Sequence, residues 1–552
     1  MSLEATTRKI IENELEAAGI RPVSLQIRTF PNEVIAIIEV DRDYEVALSV
    51  AQRIDELLDN GFVTVRHSKA VALGMDNARV SGVHDERIPD LIRLLNARSR
   101  TSETQPSLRY IGDVAERLSL AISPRHHLIF GRRGVGKTAL LLEAKRVLEL
   151  QGSHVLWVNM QSLRSLGAPH AFLTVALRIC DLILGAYAAR SESSHGHESL
   201  KLLRATIEQW FQPNTGSSLE DVALLVPQIQ QACARFCLQS GSSLFIFLDD
   251  IHYVRSSDVP KFLDLIHGVT RDCPVWLKVA GIQHQTRWFI PDPPTGLQTG
   301  HDAAIINLDV TLEQPEKAKI FLEKILRGYV EESNALPLSS VVSASAVDRL
   351  VLASGGVPRD FLTLCAASLQ TARQRLNAKT VGVQDVNNAA GVISQTKQQE
   401  LEDDAAATSG RSAILVASLN IVRDFLLSEQ QITFFRIEFR DKELHQAEYR
   451  ALQALADLRM IHLINASLSD PHHAGQRSEV YLLDLSQYSG SRLKQNLYVL
   501  DFEKGHMVLK RTRSAEPARV GDTVLRLVSL LRRAPMLDLA RLSDSILPAQ
   551  EL

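Results

Sequence analysis

The feature that most constrains this chain is a glycine-rich loop between an apolar run and an amphipathic segment. Residues 127–130 (HLIF) have the composition of a buried strand, and residues from 139 onward combine helical spacing with strong helix formers. Between them the sequence reads GRRGVGKT, with the spacing G-x-x-x-x-G-K-T. Backbone N–H groups of such a loop surround phosphates, and the following helix points its positive dipole end at the same anion. The loop therefore predicts a nucleoside triphosphate site, rather than a glycine turn with an ordinary surface lysine.

Each residue of this loop receives a predicted role. Lys137 is expected to reach the β- and γ-phosphates and to serve in catalysis, and the Thr138 hydroxyl is expected to ligate Mg²⁺. The predicted ligands are therefore ATP and Mg²⁺. The residues predicted to contact the nucleotide are Gly131, Arg132, Arg133, Gly134, Val135, Gly136, Lys137, Thr138 and Ala139.

A second apolar run, LFIFLDD at 244–250, ends in two acidic residues. The carboxyl ends of the strands in a parallel sheet lie beside a phosphate loop. Asp249 is expected to hold Mg²⁺ through its water shell, since magnesium keeps several waters when it binds. Asp250 is expected to polarise the attacking water. A solvated turn after the strand is the competing interpretation.

Length and composition indicate a multidomain globular chain. The 552 residues correspond to roughly three or four domains. A formal net charge of −3 argues against a chain built as a whole to bind a polyanion. The five cysteines lack the second ligand pair of a zinc site, so reduced thiols and a cytoplasmic location are predicted. We expect no signal peptide and no apolar run long enough to span a bilayer, hence no membrane partner.

Alternating strand-like and helical patterns predict the domain organisation. Five apolar runs alternate with helices from about 108 to 310, which is typical of a parallel sheet covered by helices. The predicted fold class is α/β, a P-loop NTPase parallel sheet with an α-helical lid, a winged-helix domain and a small N-terminal α/β domain. The predicted segments are 1–85 (small α/β accessory domain), 86–107 (helix and linker), 108–310 (P-loop core), 311–395 (lid), 412–490 (winged helix) and 491–552 (C-terminal extension), with a polar linker at 395–412.

The glycine-rich loop and the acidic strand end resemble Walker A and Walker B of the AAA+ ATPases. RYIGDVAERLSLAI (109–122) is similar to the adenine-binding segment of the initiator-type members, the origin-recognition and cell-division-cycle clade. That resemblance implies that Tyr110 and Ile111 pack on the base, while a helix entry packed on the core is the alternative. VAGIQH (279–284) lies where the family has its sensor-1 residue, which implies Gln283 or His284, although the usual Asn, Thr or Ser is missing.

Two further arginines are implied by the same resemblance. Arg287 follows the fourth strand, where AAA+ proteins carry a catalytic arginine finger that contacts a neighbour's γ-phosphate; a solvated loop arginine is the alternative. ASGGVPRDFLTLCAASL (353–369) resembles the start of a lid helix with a sensor-2 arginine, which implies a catalytic role for Arg359. The same stretch fits the G-x-P of the STAND signalling ATPases, which implies that Pro358 packs near the nucleotide. The resemblance covers about residues 108–490.

Charge limits the role that DNA can have. Residues 412–490 contain seven Lys/Arg and ten Asp/Glu, and the candidate recognition helix has only Arg450 and Arg459 as cations. Residues 491–552 contain eleven Lys/Arg and seven Asp/Glu, which fits either a non-specific backbone contact or a solvated basic face.

Three functions stay open on the sequence alone. They are an initiator-like ATPase associated with DNA, a STAND-like signalling scaffold without DNA binding, and a loader that moves a partner enzyme. In each, the chain is a nucleotide-driven switch that forms a homo-oligomer or a complex with a partner protein.

Overall fold

The computed structural model describes most of the chain in two compact units, Met1–Ile111 with Val310–Leu552, and Gly112–Asp309. The residues that the structure describes are 3–30, 33–58, 61–68, 82–97, 111, 116–189, 195–211, 218–334, 336–406, 411–470, 475–489, 496–503, 506–512, 519–521 and 524–543.

The N-terminal part of the first unit is a three-stranded sheet with helices, in the predicted α-β-β-α-β order. Its elements are α1 (Leu3–Ala17), β1 (Ser24–Phe30), β2 (Glu33–Val40), α2 (Tyr44–Leu57), β3 (Gly61–His67) and then α3 (Ile88–Ala97). The strands β1 and β2 form an antiparallel pair, whereas β2 and β3, which are joined through α2, are parallel. The apolar face of the sheet, including Ile38 and Val63, packs with Ala47 and Ile54 of α2 in one small core.

The second unit is built on a five-stranded parallel sheet. Its elements are α4 (Arg117–Ile122), β4 (His127–Phe130), α5 (Lys137–Leu150), β5 (His154–Asn159), α6 (Ala168–Ala189), α7 (His195–Gln209), α8 (Leu219–Ala223), α9 (Val226–Ser240), β6 (Leu244–Asp249), α10 (Val259–Thr270), β7 (Val275–Gly281), β8 (Phe289–Pro291), β9 (Pro294–Gly296) and β10 (Ala304–Asn307). The strand order is β10-β4-β7-β6-β5, and every neighbouring pair is parallel. This sheet confirms the predicted α/β P-loop fold class. The short antiparallel pair of β8 and β9 was not predicted.

The helix α6 corrects one prediction. Its 22 residues have a mean hydropathy of 1.7 in the most apolar window, so one helix is long and apolar enough to cross a membrane. Half of that window is buried inside the structure. Phe172, Ile179 and Ile183 lie in the core of the second unit, so burial against the sheet and its helices accounts for the apolar composition.

The region from 311 is helical, as predicted, and continues further than predicted. Its helices are α11 (Pro315–Glu332), α12 (Leu338–Val341), α13 (Ala344–Ala353), α14 (Pro358–Arg373) and α15 (Val383–Ala406). The linker predicted at 395–412 is wrong over 395–406, where α15 continues. Gln, Glu, Lys and Ala dominate that stretch and are strong helix formers, and Lys397 within it is buried in an ion pair with Asp484.

The last part of the first unit contains two small antiparallel sheets. Its elements are α16 (Arg411–Arg423), a π-helical turn (Asp424–Glu429), β11 (Phe434–Glu438), α17 (Phe439–Leu444), α18 (Gln446–Asp457), β12 (Ile461–Ser469), β13 (Arg477–Leu483), β14 (Tyr498–Glu503), β15 (His506–Arg511), β16 (Arg519–Gly521) and α19 (Val524–Leu531). The strand orders are β11-β13-β12 and β14-β15-β16. The two helices and the hairpin of 412–490 were predicted, whereas β11 was not. The backbone of Arg436 in β11 exchanges hydrogen bonds with Pro535 and Leu537.

We predict that Phe172→Ala lowers the free energy of unfolding by about 3–5 kcal/mol, because it leaves a cavity in a fully buried site. Urea unfolding followed by circular dichroism measures this change. Leu238→Ala is the control, since Leu238 of α9 is 84% exposed and its truncation should change stability little. Equal effects of the two substitutions would contradict the placement of α6 in the core.

Candidate nucleotide-binding site

The glycine-rich loop joins the end of β4 to the start of α5 and contains two glycines with left-handed backbone. Gly134 has φ 82° and Gly136 has φ 103°, a region that residues with a Cβ rarely adopt. Gly131 is needed for a different reason, since a Cβ there would lie 2.7 Å from Val135 Cγ2. Gly136 is the N-cap of α5, so no side chain caps the first turn of this helix. A helix start without a side-chain cap leaves its first N–H groups to other acceptors, an arrangement that favours an anion.

Lys137 folds back over the loop that precedes it. Its Nζ donates to the carbonyl oxygens of Gly131 at 2.8 Å and Arg132 at 3.0 Å, and the residue is 6% exposed. The ammonium group therefore lies next to the first two residues of the loop.

Thr138 and Asp249, the two predicted magnesium ligands, are in direct contact. Thr138 Oγ1 donates to Asp249 Oδ2 at 2.8 Å, and the backbone N–H of Asp250 donates to Asp249 Oδ1 at 3.1 Å. Burial of Asp249, reinforced by the charge of Asp250, raises the pKa of Asp249 to about 7, while Thr138 and Lys137 oppose that shift. A buried carboxylate beside a hydroxyl is a pair of hard oxygen ligands, so these residues fit Mg²⁺.

Asp250 is held in an uncommon backbone conformation next to a buried histidine. Its φ is 58°, which for a residue other than glycine is a strained left-handed conformation. His252 Nδ1 lies 3.9 Å from Asp250 Oδ1. Burial, helped by the positive charges of Lys137 and Arg133, lowers the pKa of His252 to about 3. The imidazole is therefore neutral near pH 7.

The two arginines of the loop have different surroundings. The backbone N–H and the Nε of Arg132 both donate to Asp309 Oδ1, at 2.9 and 3.2 Å, just after β10. Arg132 is buried by this arrangement. The Arg133 guanidinium lies over the ring of Tyr253, 5.9 Å from its centroid. Asp309 therefore fixes the start of the loop to the neighbouring strand, a contact that the sequence did not reveal.

A buried hydroxyl that sequence reasoning missed lies at the same edge of the sheet. Thr286 is 3% exposed, and its Oγ1 has no hydrogen-bond partner among the described residues. A Cβ on Gly281 would lie 2.8 Å from that oxygen and 2.7 Å from Ile251 Cγ2. Gly281, which the Thr286 hydroxyl approaches, pairs with Phe130, the residue before the loop.

The sensor-1 candidates Gln283 and His284 are in a 3₁₀ turn after β7 and are exposed. Thr286 was overlooked because it comes five residues after the strand glycine, past that turn. Arg287 is exposed in the next segment, as a residue that reaches outward would be.

The remaining predicted residues belong to the first unit. Pro358 and Arg359 form the first turn of α14 and are half-buried. Ile111 is half-buried, with its Cδ1 3.5 Å from the position of a Cβ on Gly328 in α11. Tyr110 lies outside the described residues. Their contact with a nucleotide stays a prediction.

The candidate recognition helix α18 differs from expectation. Arg450 is exposed, but Arg459 is buried, and its Nη1 donates to Asp360 Oδ1 at 2.6 Å. One of the two cations counted for DNA contact is thus committed to an internal ion pair.

No protein-family model matches the chain, and no curated protein matches its sequence. Among solved structures, the chain is similar to an Orc1 protein of Aeropyrum pernix in complex with DNA. That match has 16% identity and a TM-score of 0.32, and covers 75% of this chain and 93% of that one. Two RuvB variants of Thermotoga maritima each match at 13% identity over 52% of this chain and 74% of theirs, with TM-scores of 0.28 and 0.27. These scores are low, so the fold class rests on the strand order and loop geometry above.

We predict that Asp309→Ala lowers the free energy of unfolding by about 1–2 kcal/mol, because it leaves two donors of buried Arg132 without their acceptor. Chemical denaturation measures the change. Asp309→Asn keeps an oxygen in place and should cost less than half as much. A neutral Asp309→Ala would show that this contact does not hold the loop.

Proposed function

We propose that this chain is an ATP-binding and ATP-hydrolysing switch of the AAA+ type, whose Mg²⁺-ATP state controls its assembly with other proteins. The observation that carries this proposal is the direct contact between Thr138, in the first helical turn after the phosphate loop, and Asp249 at the end of β6. A glycine-rich loop alone is a weak signal. A loop hydroxyl bonded to a buried carboxylate from a separate strand is a much more specific one, because tertiary structure had to bring them together.

Binding of the triphosphate is assigned to the loop and to Lys137. The N–H groups from Gly131 to Ala139 surround the phosphates, and the glycines allow their close approach. Lys137 exchanges its two carbonyl partners for phosphate oxygens when the nucleotide enters.

Thr138 and Asp249 would hold Mg²⁺, Asp249 through the metal's water shell. Bound there, the ion would neutralise charge on the phosphates and on the buried carboxylate.

The reacting water is assigned to Asp250 and Thr286. Asp250 lies beside neutral His252, so its carboxylate has no full positive charge from that ring to compete with the water. The unpaired Thr286 hydroxyl is a preorganised donor at the same edge of the sheet. Thr286 is therefore a better sensor-1 candidate than the exposed Gln283 or His284.

The coupling of ATP hydrolysis to conformational change is assigned to two arginines. Arg287 would reach the γ-phosphate of a neighbouring copy, which requires an oligomer. Arg359 would contact the triphosphate from the helical region, with Pro358 fixing the start of α14. Tyr110 and Ile111 would pack on the adenine.

The downstream function of the switch is assigned to the binding of protein partners, rather than to DNA recognition by the proposed winged helix, residues 412–490. The exposed positions of α18 include one cation, Arg450, and Arg459 is unavailable because of its pair with Asp360. The described thiols are free, and four of the five are buried, which supports a reducing, cytoplasmic setting.

We predict that Lys137→Ala weakens ATP binding by about 10- to 150-fold, from the ~1.5–3 kcal/mol that a hydrogen bond to a charged group contributes. Isothermal titration calorimetry measures Kd. Arg146→Ala is the control on the same helix, since Arg146 is exposed and pairs with Glu143, one turn before it on the helix surface. Unchanged Kd and turnover in Lys137→Ala would refute the assigned site.

We predict that Thr286→Val lowers kcat by about 100-fold with little change in Kd for ATP. Val is nearly isosteric and removes only an unpaired hydroxyl, so stability should not fall. Thr286→Ser should retain most of the rate in a phosphate-release assay. Normal turnover in Thr286→Val would exclude this residue from the reaction.

The response of the ATPase to duplex DNA tests whether the downstream partner is protein or DNA. We predict that duplex DNA changes the ATPase rate less than twofold at about 150 mM salt, whereas ATP changes particle mass in light scattering. Strong, salt-sensitive stimulation by DNA would instead favour an initiator-like function.

A further inference from the structure

Five charged or polar side chains form a buried cluster inside the first unit. Arg459 Nη1 donates to Asp360 Oδ1 at 2.6 Å, Lys397 Nζ lies 2.9 Å from Asp484 Oδ2, and His462 Nε2 is 2.7 Å from the same oxygen. Lys397 also donates to the carbonyl of Arg459 at 3.3 Å. These residues, the charge cluster, are Asp360, Lys397, Arg459, His462 and Asp484.

The charge cluster joins two regions that the sequence separated by a linker. Asp360 is in the first turn of α14, directly after Arg359, and Lys397 is in α15. Arg459, His462 and Asp484 belong instead to the region that follows: Arg459 precedes β12, His462 lies within β12, and Asp484 follows β13.

Burial restricts the geometry that these contacts can adopt. Every member is at most 9% exposed, with two acids facing two bases. Although burial alone would raise it, the charge of Lys397 and the hydrogen bond from His462 hold the pKa of Asp484 well below its ordinary value. A buried ion pair adds little net stability, because its desolvation offsets the attraction, but it tolerates only one geometry.

A backbone contact fixes the loop in front of α14 to the same histidine. Gly355 has φ 58°, and a Cβ there would lie 2.1 Å from His462 Nδ1. The Gly355 backbone therefore lies against the imidazole, four residues before Arg359.

Two further pairs connect the same regions. Arg349 of α13 is 3.2 Å from Asp501 of β14, and both are buried. Asn465 of β12 donates to Glu313 before α11 at 3.1 Å.

We propose that the charge cluster locks the start of α14 to the β12–β13 region, so that nucleotide contact at Arg359 and partner binding on the C-terminal region regulate each other. This regulation rests on the proposed function. Because coupling between two sites is reciprocal, a partner that shifts the C-terminal region changes ATP affinity by the same factor that ATP changes partner affinity.

The test is hydrogen exchange on the full-length protein with and without Mg²⁺-ATP. In the wild type, ATP should slow exchange of the amides of 358–373 and also of 461–483, by about 5- to 150-fold. In the double variant Asp360→Asn with Arg459→Met, protection of 358–373 should remain while that of 461–483 falls below about twofold. Neutralising both partners avoids a buried lone charge, so the double variant should fold.

The matched control is Glu429→Gln with Arg541→Met, an exposed pair in the same unit that should leave both responses unchanged. Gly355→Ala is a second, steric way to separate the regions and should act like the double variant. Equal ATP-induced protection of 461–483 in the double variant and the wild type would overturn the proposal. If the proposed function itself is wrong, ATP would not protect even residues 131–139 in the wild type. That result is distinct from a loss of coupling alone.

Discussion

The interaction on which the candidate site depends is the hydrogen bond from Thr138 to the buried carboxylate of Asp249. Both partners are on rigid elements. Asp249 ends a strand whose six residues are all buried between two neighbours, and Thr138 is in the first turn of α5. Rigid strands and helices hold functional groups more closely than loops do. The raised pKa of Asp249 has the same cause, since burial of this carboxylate and the charge of Asp250 outweigh the opposing effects of Thr138 and Lys137.

The phosphate loop is organised by contacts that a nucleotide must partly replace. Lys137 is bonded to carbonyl oxygens of the loop, and Arg132 to Asp309. These internal contacts hold a cation-rich loop in one conformation. If a nucleotide binds as proposed, its affinity is the difference between the new contacts and these internal ones.

The buried arginine of the C-terminal region changes how its charge is interpreted. Counting cations over the candidate recognition helix treats each one as a surface group, but Arg459, which follows α18, faces inward to Asp360. The same residue that seemed to offer a DNA contact instead joins two regions of the first unit. Its role follows from burial, which composition cannot reveal.

The sequence by itself determined the α/β core and the two motifs of the site. Apolar strand runs, glycines at fixed spacing and an acidic strand end are local patterns, and each is set by backbone sterics or by the side-chain period of its element. Even so, the polar run after 395 was misinterpreted as a linker, because the residue buried there is the charged Lys397, which pairs with Asp484, and no apolar pattern marks the helix. Only the tertiary structure decided that Thr286 is buried next to Gly281 of β7, that Asp309 holds Arg132, and that Asp360 pairs with Arg459. Those partners are 99 or more residues apart in two of the cases, and the chain folds them together through packing that no local pattern encodes.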